Sequence, residues 1–135
     1  MNTNYFINLI AGNIFRTKTS PSIPTNYYIG LSSTEPTVDG VCTGEPSRSG
    51  TGYSRVKLSN LSTPSNGVIS NASNIDFNES LSSWGQMRYY VVYDSETGGN
   101  LLFGGALKTP ITVDAGTAVI LKTGEFKVRI CTPTA

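Results

Sequence analysis

The stretch QMRYYVVYDSETGGNLLFGGAL, residues 86–107, has the chemistry of two strands joined by a tight turn. Met87, Tyr89, Val91 and Tyr93 alternate with Arg88, Tyr90, Val92 and Asp94, the period of two that a strand imposes. Aromatic and β-branched side chains occupy both faces, which places this strand inside a sheet rather than at its edge. A polar run from Asp94 to Asn100 follows, and Gly98-Gly99 supply the positive φ angles of a reversal. Leu101, Leu102 and Phe103 begin a second apolar run, which Thr109-Pro110 is expected to close.

Outward from this hairpin the chain continues in short β segments. On its N-terminal side the expected strands are 27–31, 53–58 (YSRVKL), Val68-Ile69 and 75–77, with Trp84-Gly85 leading into the hairpin. On its C-terminal side they are 111–113, 119–121 and a last alternating strand around Phe126, Val128 and Ile130. Gly, Pro and Asn punctuate them. The fold class is therefore mostly β: a single-domain antiparallel β-sandwich or irregular barrel of about eight short strands with one N-terminal helix. Residues 32–52 form a loop longer than compact domains commonly use, a sign of function or mobility.

Residues 4–15 are the helix. Tyr5, Phe6, Leu9, Ile10 and Ile14 recur at helical spacing on one apolar face, and Thr3 or Asn2 caps the start. Ser, Thr and two prolines in 17–26 exclude helix and give an extended connector, so residues 1–26 form an arm ahead of the β domain at 27–135. So short a helix is unstable alone and must dock. Its stripe is wide enough for a sheet face, and packing on its own domain is expected over attachment to a neighbour.

Charge limits the partners. The net charge is +1 with signs interspersed, and no basic stripe offers phosphate neutralisation, so nucleic acid is not expected. Charged residues are only 14% of the chain, against roughly 25% in ordinary soluble domains, with Ser, Thr, Asn and Gly in their place. Such a surface loses little on desolvation and suits contact with other proteins. No apolar run reaches the roughly 20 residues of a membrane span, and no signal peptide is recognisable, so membrane insertion is not expected and Cys42 and Cys131 are expected as free thiols formed in a cytoplasm. The sequons at Asn60, Asn71 and Asn78 are then chance matches.

Catalysis finds no support. Histidine is absent, and Glu35, Asp39, Glu45, Asp94, Glu96 and Asp114 fall in loops, where they are read as solvated turn carboxylates. Neither Gly98-Gly99 nor Gly104-Gly105 has the spacing of a phosphate loop, and no metal or cofactor motif is present. Of the tyrosines, Tyr5, Tyr27, Tyr28, Tyr53, Tyr89, Tyr90 and Tyr93 have the amphipathic bulk for a glycan or partner surface, best at whichever of Tyr89 and Tyr90 faces outward. The candidate assembly or recognition residues are thus Tyr5, Phe6, Leu9, Ile10, Ile14, Tyr89 and Tyr90.

Three stretches taken together resemble a known family: YIGLSSTEPTVDG (28–40), EPSRSGTGYSRVKL (45–58), and Trp84 through YDSETGGNLLFGGAL (93–107) to TVDAGT (112–117). They are similar to small virion proteins of tailed bacteriophages, often labelled tail-fibre or minor structural proteins. The resemblance runs from Tyr5 to Ile130, with departures at Cys42-Thr43 in the long loop and at Cys131 before a Thr-Pro tail. It implies a non-enzymatic virion surface component without cofactors, either capsid decoration or a tail or baseplate appendage, assembled in the bacterial host cytoplasm. Its implied partners are other virion proteins, with symmetric sites favouring a homo-oligomer such as a trimer. The alternative is a carbohydrate-binding module for a host surface glycan. Exposed aromatics around a shallow groove favour that alternative; a broad apolar patch favours assembly.

Overall fold

A computed structural model of the chain describes residues 1–16 and 22–129; residues 17–21 of the connector, Ile130 and Cys131 lie outside the described residues. The elements are α1 (Asn4–Phe15), β1 (Tyr28–Ser32), β2 (Val56–Lys57), β3 (Val68–Ser70), β4 (Ile75–Asp76), β5 (Gly85–Tyr93), β6 (Leu101–Val113), β7 (Ile120–Leu121) and β8 (Lys127–Arg129). Strands β2-β1-β5-β6 form one antiparallel sheet, and the pairs β3-β8 and β4-β7 form two small ladders. Among the described residues there is no closed barrel. β5 is an interior strand, as its two apolar faces require.

The two faces serve two cores. Ile29, Leu31, Met87, Val92 and Val113 of the sheet pack with Ile75, Phe77, Val119, Leu121 and Phe126 from the ladders and their flanks, and this is the main core. Val91, Tyr93 and Leu101 point the other way and pack with Cys42. The long loop therefore covers the second face, with Pro36 buried and Ser33 N donating to the Gly44 carbonyl at 3.0 Å. It is a packed lid on the sheet, and its length is what that coverage needs. Cys42 is a free thiol, donating to Ser32 Oγ at 3.3 Å.

The expected strand 53–58 shortens to Val56–Lys57, and the largest difference from the sequence expectation lies in β6. Ile111–Val113 is not a separate strand: β6 continues through Pro110 to Val113 on the same partner. Met87 pairs with Ile111 and Tyr89 with Ala106, so residues 107–110 bulge out opposite Arg88 alone. The bulge puts Pro110, which has no N–H to give a ladder, where no ladder bond is needed.

The hairpin turn forms as the glycines require. Gly98 and Gly99 have φ of +59° and +74°, and Asp94 Oδ1 accepts from Asn100 N at 2.7 Å. The two glycines are not equivalent. A Cβ on Gly98 would meet nothing within 4 Å, whereas one on Gly99 would lie 2.5 Å from Asp94 Oδ1 and 2.7 Å from Ser95 Cβ. Gly98→Ala is expected to cost about 1 kcal/mol for its φ alone, and Gly99→Ala about twice that. Glu96 and Thr97 are exposed, and their substitution is expected to stay within about 0.5 kcal/mol. Melting temperatures of the four variants give the comparison; equal values at Gly98 and Gly99 would contradict it.

Candidate interaction surfaces

The helix has the bounds its periodicity predicts. Thr3 caps it: Thr3 Oγ1 accepts from Phe6 N at 3.2 Å and donates to the Leu101 carbonyl at 2.7 Å. Residues ahead of the helix pair with the outer edge of β6, where Thr3 N donates to the Leu102 carbonyl and Gly104 N to the Met1 carbonyl, both at 2.9 Å. These bonds aim α1 along the sheet. Phe6 stacks on Phe103 with ring centroids 5.5 Å apart, and Leu9 is 3% exposed. Leu9 is thus an interior residue and not part of an accessible surface.

The rest of the helix is left open. Ile7, Ile10 and Ile14, spaced by three and four residues, share a face turned from the sheet, and Ile14 and Phe15 are 62% and 82% exposed. Tyr5 is also exposed. No residue of α1 carries a charge. The uncovered apolar surface extends to the long loop, whose Val38 carbonyl accepts from Asn4 N at 2.8 Å and whose Val38 and Val41 side chains are exposed. A helix apolar on nearly every side is the pattern of an element covered from two directions, and the described residues cover only one.

The two candidate tyrosines separate. Both are half-buried; Tyr90 faces the main core and meets Phe126 edge-on at 5.5 Å, while Tyr89, one residue earlier on the strand, faces the opposite side. Tyr90 also lines a groove of about 530 Å³ between the β6 bulge and the turn that joins β7 to β8.

The sequence reading missed a polar cluster beneath the long loop. Glu45 is not a solvated turn carboxylate. Arg55 Nε and Nη2 grip its two oxygens, each at 2.8 Å, in a fork with side chains only 6% and 16% exposed. Tyr53 Oη donates to Glu45 Oε2 at 2.5 Å and accepts from Leu31 N at 3.1 Å. Arg55 Nη1 reaches the hairpin turn, donating to the Ser95 and Gly98 carbonyls at 2.9 and 2.7 Å, and the guanidinium carbon lies 3.4 Å from the centroid of the Tyr93 ring. Burial alone would raise the Glu45 carboxyl, but the bonds from Arg55 and Tyr53 and the guanidinium charge outweigh it and hold it below its ordinary range. Burial, then the neighbouring Cys42 thiol and Glu45, pushes Tyr93 up to about 12. The hydrogen bonds of this cluster bind loop, sheet and turn together. Its members lie close in sequence, at 45, 53 and 55; the strand period of two links Tyr53 to Arg55, but none reaches back to Glu45, so no period signals the ion pair.

Among the described residues no helix is long and apolar enough to cross a membrane. A comparison with curated proteins gives no match. The podophage family described as GP4 fiber I protein gp80 matches residues 2–129, a span that takes in the helix, the long loop, the hairpin and all eight strands. The chain therefore belongs to the podophage GP4 fiber I protein gp80 family and is a structural protein of a phage virion fibre.

Proposed function

We propose that this protein is a non-enzymatic accessory component of the fibre that assembles with further copies of itself through the open face of α1. The observation that carries this reading is the Ile7, Ile10 and Ile14 stripe, continued by Phe15 and by Val38 and Val41 of the loop. A second copy is the occupant best matched to it. A contact between identical patches must be self-complementary, and an uncharged apolar stripe meets its own image without like-charge repulsion. The cis docking through Thr3, Phe6 and Leu9 fixes the helix on the sheet, so the stripe is presented on a rigid support. The carboxylate drawn under the long loop is occupied by Arg55 and Tyr53, which fits a role without catalysis.

Sedimentation velocity of the full chain and of the Ile7→Glu/Ile14→Glu double variant tests this. Both side chains are exposed, so the variant is expected to keep its circular dichroism spectrum and to melt within about 0.5 kcal/mol per site of the parent. The parent is expected to sediment as an oligomer at micromolar concentration and the variant as a monomer. A monomeric parent, or an oligomeric variant, would overturn the reading.

A further inference from the structure

The groove beside Tyr90 carries no part in that assembly contact, and its chemistry differs from that of α1. Its volume of about 530 Å³ is within the range of small-molecule sites, roughly 300–1,000 Å³. Ile111 and Phe126 contribute apolar lining, and Tyr90 adds an aromatic ring. That ring is seated on Gly105, where a Cβ would come within 2.9 Å of both Tyr90 Cε1 and Oη, so only glycine allows the tyrosine this position. Among the described residues the Tyr90 hydroxyl has no hydrogen-bond partner, although burial raises its pKa and keeps it a donor.

The polar groups at the groove are equally uncommitted. Lys108 and Thr109 come from the β6 bulge; Glu125 and Lys127 come from the opposite wall. Lys108, Lys127 and Glu125 form no ion pair with each other or with any described residue. In a chain this poor in charge, three charged residues line this one groove, two of them lysines.

We propose that this groove binds an acidic saccharide. The apolar and aromatic lining suits the C–H face of a sugar ring, the Tyr90 and Thr109 hydroxyls and the Glu125 carboxylate suit its hydroxyls, and Lys108 and Lys127 suit a carboxylate on it. An extended peptide is a poorer match. The bulge at 107–110 breaks the regular edge on which a peptide backbone would pair.

The test is a chemical-shift titration of the full chain with digalacturonate, with the neutral disaccharide galactobiose and with acetate. Digalacturonate is expected to shift amides of Tyr90, Lys108 and Lys127, with galactobiose bound roughly tenfold more weakly, the factor expected from losing one charge-assisted hydrogen bond. Tyr90→Phe removes only a hydroxyl without a protein partner, so it should fold as the parent does and bind several-fold more weakly. Lys108→Gln/Lys127→Gln should abolish the preference for the acidic sugar and the salt dependence of binding. Equal binding of the two disaccharides would overturn the acidic assignment. An equal response to acetate would reduce the site to a simple anion contact and overturn the saccharide assignment. Absence of groove shifts with all three would overturn the site itself.

Discussion

Arg55→Ala is expected to destabilise the fold by about 3–5 kcal/mol, the loss typical of removing one partner from a buried ion pair. For a chain of this length that corresponds to a fall in melting temperature of about 10 °C or more. The cost has three sources. Glu45 is left beneath the loop with Tyr53 as its remaining hydrogen-bond donor. The Ser95 and Gly98 carbonyls lose the donor that ties the hairpin turn to the loop. The Tyr93 ring loses the cation stacked on it. The effect should also depend on pH. In the parent, the carboxyl of Glu45 is held below its ordinary range, so its stabilisation is complete above about pH 4–5 and is lost as pH falls through the lower folded value. Without Arg55, only the Tyr53 hydrogen bond and the charge of Arg48 still oppose burial, so the carboxyl sits higher than in the parent and acid relieves a buried charge in the variant. The stability gap between parent and variant should therefore narrow from pH 7 to about pH 3. Denaturant melts at the two pH values measure it, and a gap that is small at pH 7 or unchanged in acid would contradict the buried-pair account.

A second large effect is expected at Asn71, whose amide is 1% exposed. Nδ2 donates to the Ser73 and Lys122 carbonyls, both at 2.9 Å, and Oδ1 accepts from Gly124 N and Phe126 N, both at 3.0 Å. One side chain thus brackets the β7–β8 turn against the segment that follows β3. Asn71→Asp keeps the shape but sets a carboxylate oxygen against two carbonyls, and a loss of about 3 kcal/mol or more is expected at pH 7. Burial and the facing carbonyls should raise the pKa of the new carboxyl. The penalty should then be present above that raised value and shrink as acid protonates the group into a donor. Urea unfolding at pH 7 and pH 4 checks both, and Asn71→Ala should show the loss without the recovery in acid. The same burial and bonding set the Asn71 sequon apart as a match of letters, since its amide nitrogen is already engaged.

How much of this was legible in the sequence depended on the range of the physics involved. Alternation from Tyr89 to Tyr93 and the paired glycines after it fixed the hairpin, because strand period and turn φ are properties of neighbouring residues. Met87, expected on the face of Val91, lies instead on that of Val92, because the register shifts at Arg88. Thr3 and the apolar spacing fixed α1 for the same reason. Thr109-Pro110 was expected to close its strand and does not, because a proline without an N–H can be accommodated either by ending a strand or by bulging it. The continued pairing of Ile111 and Val113 with β5 decided for the bulge.

The interaction surfaces lay beyond what local pattern can decide. The sequence determined that α1 is apolar and uncharged. The single apolar face expected of Tyr5, Phe6, Leu9, Ile10 and Ile14 is split by the fold, because apolar side chains occur nearly all around the helix and local spacing does not say which are covered. The pairing of residues 1–3 with the edge of β6 made that choice, turning Leu9 inward and Ile7, Ile10 and Ile14 outward. Glu45 looked like any loop carboxylate until the fold of the loop brought it to Arg55, and Tyr90 became groove-lining only when Gly105 on the adjacent strand made room for its ring. Backbone propensity and side-chain period act over a few residues and can be read along the chain. Burial and charge pairing are settled by segments distant in sequence, and only the tertiary structure brings those together.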